Sequence, residues 1–433
     1  MIEVPVAEPN RYSDHDIDTG HLDRNALKVV DTLREGGFDA YLVGGCVRDL
    51  LCERVPKDFD VATNATPEQV KTLFRRARLV GRRFPIAHVR YGRDIIEVST
   101  FRQSQVEEVE TNAQGLIVKD QAYGTMAEDA FRRDFTVNAL YYDTDTREII
   151  DYVDGLTDIR NQRLQFIGKP SDRLAEDPVR MLRAIRFAAK LDFDLDDELY
   201  ELMDETAERL EAIPSARLFD EFLKMFLSGY GSNVWEMLRD TPLARSLFPS
   251  CRPENPLVLS AMQNTDKRIA EDQPVTPGFL IAVLLWDDFN ARNSRENSKK
   301  KPGVAYELAM DTLAIQQQHI AIPRRFSIFA REVWQLQHRL EDRYPRDIKR
   351  LLNHKRFRAA FDFLTLRGDG EKQLATKARW WAEIQEVSGE EQDRMISALG
   401  NPKKRRRRRR RGGSNNQPMY PDTPSYHSDG SDY

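Results

Sequence analysis

Cysteine is nearly missing from this chain: Cys46, Cys52 and Cys251 are the only three in 433 residues. They are too few and too scattered for a disulfide framework or a zinc site, so a reducing, cytoplasmic compartment is the default expectation. The seven histidines show no metal-ligand spacing. No apolar run approaches the roughly 18 residues of a membrane-spanning helix, so no membrane span is expected. The first residues, MIEVPVAEPNRYSDHD, have neither the basic start nor the apolar stretch of a secretory signal. No internal repeat is found. What remains is a charge-rich globular chain, 31% charged against 40% hydrophobic. Its length suits about three domains.

The net charge of −4 conceals an asymmetry. Residues 401–433 carry nine basic side chains, Lys403 to Arg411, against three acids, Asp422, Asp429 and Asp432. That segment is therefore +6, which leaves −10 on residues 1–400. The folded part reads as acidic, and the basic charge as gathered in a tail that meets polyanions or serves as a localisation signal. The final stretch, GGSNNQPMYPDTPSYHSDGSDY, has no core-forming pattern and reads as disordered.

Residues 1–20 read as a loose polar leader. Leu22, Ala26, Leu27, Val30 and Leu33 then form a helical stripe. FDAYLVGG is a strand stopped by two glycines, and KDFDVAT is a second strand. A helix opens at TPEQVKTLF, with Thr66 as N-cap, Pro67 first in the helix and Gln69 three residues after the cap. DIIEVSTF is a third strand, while FTVNALYYD fits strand or helix. Strands mixed with helices to about residue 155 predict an α/β or α+β unit. From Asp172 onward the pattern is helical, with residues 286–303 expected as a polar loop. The tryptophans of KARWWAEIQ are expected in helix core.

Some of these residues bear on chemistry. Gly44 and Gly45 follow a strand and precede a helix, so their amides can face an anion with no Cβ in the way, and Arg48 adds a charge nearby. Asp58 and Asp60, at i and i+2 of a strand, project to one face and repel unless a cation lies between them. Magnesium takes carboxylate and phosphate oxygens together, which suits a metal–nucleotide site; the alternative is a solvated strand end. In EDPVRMLRAIRF, Asp177, Arg180, Arg183 and Arg186 recur at steps of three, which by itself describes a salt-bridged helix surface.

The stretch YLVGGCVRDLLCERVPKDFDVATNATPEQV resembles the catalytic motif of the class II nucleotidyltransferases, the bacterial poly(A) polymerases and CCA-adding tRNA enzymes. The resemblance continues through LVGRRFPIAHVRYGRDIIEVSTFR, EDAFRRDFTVNALYYD and DRLAEDPVRMLRAIRFAAKL, covering residues of about 38–232. It implies a multidomain α+β chain, with a polymerase-β-type head followed by an all-α neck and body. The implied division is leader 1–20, head 21–155, neck 156–232, body 233–400 and tail 401–433.

The resemblance also implies roles. Asp58 and Asp60 match the Mg²⁺-holding pair, and Asp134 of RRDFT is favoured as the third acid. Glu97, a charge midway along an apolar strand, is the other candidate. Arg133 matches an arginine near the nucleotide phosphates, whereas Arg132 reads equally as a surface charge. Glu176, Asp177 and Arg180 match the template that reads the incoming base, with Arg183 and Arg186 as phosphate or ribose contacts. His88 is expected to fill a hydrogen-bonding position on its strand. Where the family usually has glycine this chain has Glu53, so the turn before the catalytic strand is expected to use non-glycine geometry.

VGRRFPIAHV, the helical body and the tail KKRRRRRRR resemble the poly(A) polymerase branch. The implied activity is template-independent addition of AMP from ATP to RNA 3′ ends. A CCA-adding enzyme is the alternative, and a non-catalytic RNA-binding protein the second.

Overall fold

The computed structural model describes residues 8–81, 85–103, 110–111, 117–119, 123–297 and 303–400. The basic tail, Lys403 to Arg411, lies outside the described residues.

The head is built on a mixed eight-stranded sheet. In chain order the strands are β1 (Asn10–Tyr12), β2 (Ala40–Val43), β3 (Asp60–Thr63), β4 (Ala77–Val80), β5 (Ile86–Tyr91) and β6 (Asp94–Thr100). A separate short hairpin, β7 (Glu110–Thr111) and β8 (Ile117–Lys119), precedes β9 (Leu140–Asp143) and β10 (Glu148–Asp151). The spatial order is β1-β10-β9-β2-β3-β6-β5-β4. Within this sheet β3 runs parallel to β6, and the other pairs are antiparallel. At the centre, β2 reads AYLV and buries Ala40, Leu42 and Val43, as a strand covered on both faces must.

Three helices flank this core. In α1 (Arg24–Glu35), Ala26, Val29, Val30 and Leu33 are buried, and Asp23 caps it by accepting from the Asn25 and Ala26 amides at 2.8 Å. Helix α2 (Gly45–Leu51) follows the glycine turn. Helix α3 (Pro67–Leu73) has the expected capping box: the Thr66 amide donates to Gln69 Oε1 at 2.7 Å, and the Gln69 amide to Thr66 Oγ1 at 3.3 Å.

The chain then continues through α4 (Met126–Phe131), α5 (Gly155–Arg160), α6 (Pro170–Glu176), α7 (Val179–Leu191), α8 (Asp197–Thr206) and α9 (Ser215–Phe226). From Gly231 to Ala398 the described structure is helical throughout. An α+β head followed by an all-α neck and body is the architecture the sequence led one to expect. Head and neck are pinned together by guanidinium groups. Arg173 on α6 donates to the carbonyl of Arg132 at 2.9 Å and to that of Arg133, and Arg54 donates to the Leu191 carbonyl at 3.1 Å.

Several local expectations need correction. Residues 10–12, read as part of a loose leader, form β1 and pair with β10 at the sheet edge. Residues 286–297, read as loop, are helical (Trp286–Asn297). Trp286 and Phe289 share one face, Phe289 stacks on Trp334 at 4.6 Å, and buried Asn293 bonds His338 at 2.7 Å. Two aromatic anchors thus outweigh the polar residues between them, since truncating a buried ring of this size costs about 3–5 kcal/mol. Asp58 precedes β3 rather than lying in it. The paired tryptophans hold as core: Trp381 is fully buried and donates to the Leu340 carbonyl at 2.8 Å.

Candidate active site

Strand register assembles the acids. Asp60, the first residue of β3, stands opposite Glu97 on β6, and Glu97 stands opposite His88 on β5. His88 Nε2 lies 3.3 Å from Glu97 Oε1, so this histidine serves the neighbouring carboxylate from its strand position. Burial pushes the Asp60 carboxyl up to about 6, with Glu97 and Asp58 adding to the rise and Arg133 opposing it. Among the described residues neither Asp58 nor Asp60 has a side-chain hydrogen-bond or ion-pair partner. A half-buried carboxylate beside two others, with no cation in hydrogen-bonding contact among the described residues, is a hard-oxygen donor set that fits a divalent ion. Among the described residues no three His, Cys, Asp or Glu groups close around one point.

Asp134 is placed elsewhere. Its Oδ2 accepts from Arg183 Nε at 2.7 Å and Nη2 at 2.5 Å, and its Oδ1 accepts from Asn138 Nδ2 and the Phe135 amide. Burial raises its carboxyl, but Arg183, Asn138 and the Phe135 amide outweigh that and hold it below the usual carboxylate range. Of the two candidate third acids, Glu97 is the register partner of Asp60, and Asp134 is paired with Arg183. A strand pairing of this kind cannot be read from one sequence.

Beside the acids lies the glycine turn. Gly44 adopts φ +75°, a conformation that strains any side chain, and a Cβ there would come within 3.1 Å of Arg133 Nη1 and press on that guanidinium. A Cβ at Gly45 would meet only Arg48, at 3.7 Å. Arg48 is buried and bonds Asp49 Oδ1 through Nε at 2.9 Å and Nη2 at 2.6 Å, and Asn138 through Nη1. Arg133 is held by Asp129 at 3.0 Å and donates to the Asn138 carbonyl at 3.3 Å. Arg132 pairs with the same Asp129 at 3.1 Å. Asn138 thus touches Arg48, Arg133 and Asp134 together. Sequence reading passed over both Asp129 and Asn138, although Asp129 sits four residues before Arg133, the spacing of a helical ion pair.

The turn before the catalytic strand also departs from expectation. Glu53 takes φ +56°, the left-handed conformation glycine adopts without penalty. It closes α2 as glycine would: the Glu53 amide donates to the Leu50 carbonyl at 3.1 Å and the Arg54 amide to Asp49 at 2.8 Å. The residue differs, but the geometry is that of the glycine.

On α6 and α7, Glu176 and Arg180 stand side by side. Glu176 Oε2 accepts from Arg180 at 2.6 Å and Arg173 at 2.9 Å. Asp177 pairs instead with Arg217 of α9 at 2.5 Å and accepts from the Val179 amide at 3.3 Å. Arg186, expected at phosphate or ribose, is buried against Glu221 at 2.5 Å. Arg48, Arg183 and Arg186 converge on the Phe187 ring, at 5.0, 5.3 and 4.1 Å from its centroid. Phe187, unremarked in the sequence, is the post around which these guanidinium groups are stacked.

A mixed sheet carrying aligned acids, beside a glycine turn walled by arginines, defines a nucleotidyltransferase. The chain matches the Poly A polymerase head domain over residues 40–165. It also matches the probable RNA and SrmB-binding site of polymerase A over 192–254, and the polymerase A arginine-rich C-terminus over 298–413. Poly(A) polymerase I of Salmonella typhimurium is 42% identical over 423 residues, covering 92% of this chain and 90% of that protein. The Haemophilus influenzae protein of the same name is 41% identical over 402 residues, 88% of each. The fold is also that of the Bacillus stearothermophilus CCA-adding enzyme in complex with CTP, with TM-score 0.54, 23% identity and 87% of each chain covered. The chain belongs to the poly(A) polymerase family.

Proposed function

We infer that this enzyme adds AMP from ATP to RNA 3′ ends without a template, in the cytoplasm. The observation that carries this reading is the acid row of Asp60 and Glu97, with Asp58 close by, in a chain 42% identical to a poly(A) polymerase over 92% of its length. The RNA 3′-oxygen attacks the α-phosphorus of ATP, the bond to the bridging oxygen breaks, and pyrophosphate leaves while the hydroxyl proton passes to solvent. Asp58 and Asp60 would hold Mg²⁺, with Glu97 rather than Asp134 as the supporting acid. When bound, that ion acidifies the attacking hydroxyl and offsets charge on the phosphates.

The residues around this pair do the positioning. The Gly45 amide and Arg133 face the triphosphate, while the Gly44 amide is taken by the Leu140 carbonyl at 3.1 Å and buried Arg48 braces the turn through Asp49 and Asn138. Glu176 and Arg180 offer an acceptor and donors to the adenine edge. Asp134 acts through Arg183, and Asp177 and Arg186 brace the neck. The head is assigned to 21–155, the neck to 156–232 and the body to 233–400, with Lys403 to Arg411 adding phosphate affinity.

Separate incubation with each nucleoside triphosphate, using unstructured RNA and a tRNA lacking its end, tests the reading. ATP-specific extension of both substrates is expected. Addition limited to C, C and A on the tRNA would assign CCA addition instead. Unchanged function in Asp58→Ala would leave a non-catalytic RNA-binding protein.

A further inference from the structure

Charge is concentrated in a second place besides the tail. Between Gln69 and Arg93 the chain has eight Lys and Arg residues and no Asp or Glu, within a protein of net charge −4. Four of them, Arg75, Arg76, Arg78 and Arg90, line one open concavity of about 360 Å³ at the β4 edge of the sheet. All four are exposed, and among the described residues none bonds or pairs with an acid. The site arginines are the contrast, since Arg48, Arg133, Arg180, Arg183 and Arg186 each have a carboxylate. Four like charges facing one hollow repel each other until an anion enters.

Register relates this edge to the acids. Asp60 stands opposite Glu97, Glu97 opposite His88, and His88 opposite Arg78, so one cross-strand row runs from β3 to β4. Arg90 lies two residues beyond His88 on the same face. With strands about 4.8 Å apart, the row spans roughly 14 Å from acid to arginine. Val80 and Ile95, 47% and 38% exposed, lie on that same face, and Ile95 is the register partner of Arg90. An extended polyanion with apolar planar groups fits such a surface, because phosphates meet guanidinium groups while bases cover aliphatic side chains. The triphosphate of ATP, seated at the glycine turn and the acids, does not extend across three strands.

We propose that this edge is the track for the RNA strand being extended. Phosphates upstream of the 3′ end bind Arg75, Arg76, Arg78 and Arg90, and the row delivers the terminal nucleotide to Glu97 and Asp60. The proposal rests on the polymerase reading of the same site.

The test uses the full chain, a labelled 15-nucleotide oligo(A) and a fluorescent ATP analogue, each titrated from 50 to 300 mM salt. Combined Arg75→Ala, Arg76→Ala, Arg78→Ala and Arg90→Ala should weaken RNA binding at least tenfold at low salt. The slope of log K against log salt should fall by roughly 3, about 0.7 per released phosphate contact on a single strand. ATP-analogue affinity should stay the same. The single variant Arg78→Glu, on an exposed site that leaves folding intact, should weaken RNA binding more than Arg78→Gln. An unchanged salt slope overturns the proposal, and so does loss of ATP-analogue affinity with the RNA slope intact. Failure of the unaltered enzyme to extend any RNA would overturn the polymerase reading instead, while the binding titrations still judge the edge.

Discussion

Arg183 of the neck helix grips Asp134 of the head through two nitrogens, at 2.7 and 2.5 Å. The pair joins the residues just after α4 to helix α7. Asp134→Asn should cost roughly 2–4 kcal/mol of stability, somewhat less than for a fully buried pair, because Arg183 loses its counter-charge. It should raise the KM for ATP at least tenfold and leave the Mg²⁺ concentration for half-maximal rate unchanged. A metal ligand would show the reverse pattern, so Mg²⁺ titration of the variant separates the two roles.

Asp60 is held against its own charge. Its carboxyl is pushed from 3.8 to about 6, so between those values the folded chain binds more protons than the unfolded one. Stability therefore falls as pH rises through that window, and the full cost is present above pH 6. Asp60→Asn should abolish AMP incorporation yet stabilise the metal-free protein at pH 7.5 by roughly 1–3 kcal/mol. The advantage should shrink as the pH is lowered toward 4. Thermal melts in chelator across that range check the sign.

Glu97 contributes part of the pressure on Asp60. Glu97→Gln removes a neighbouring negative charge, which favours the ionised form of Asp60 and lowers its pKa. Any activity that remains should have its acid limb moved to lower pH, together with a weaker Mg²⁺ requirement curve. An acid limb that stays in place would separate Glu97 from the site.

Glu53 carries a backbone conformation that favours glycine. Glu53→Gly relieves about 1–2 kcal/mol of left-handed strain and gives back up to about 1 kcal/mol in chain entropy. A net stabilisation between 0 and about 2 kcal/mol is expected, whereas Glu53→Val should be clearly destabilising. Denaturant midpoints of the two variants decide this.

Much of the site was legible because its chemistry is local. The Gly44–Gly45 turn, the Thr66–Gln69 cap and the Asp58–Asp60 pair all lie within short stretches whose geometry follows from neighbouring residues. Other assignments depended on distant partners. The sequence could not show that α9 brings Glu221 against Arg186 and Arg217 against Asp177. Glu97 seemed the weaker acid because its relation to Asp60 comes from a parallel strand pairing across 37 positions of sequence. The arginine edge escaped because charge was summed over long segments, in which the eight cations of residues 69–93 were averaged with the acids around them.

The single parallel pairing in this sheet has a consequence for descent. Side chains on a strand alternate faces, so one residue gained or lost inside β3 or β6 would turn Asp60 or Glu97 away from the other. Length cannot drift within the strands that carry the acids. Among lineages that keep the activity, insertions and deletions should therefore fall outside these two strands even where their apolar residues have been exchanged.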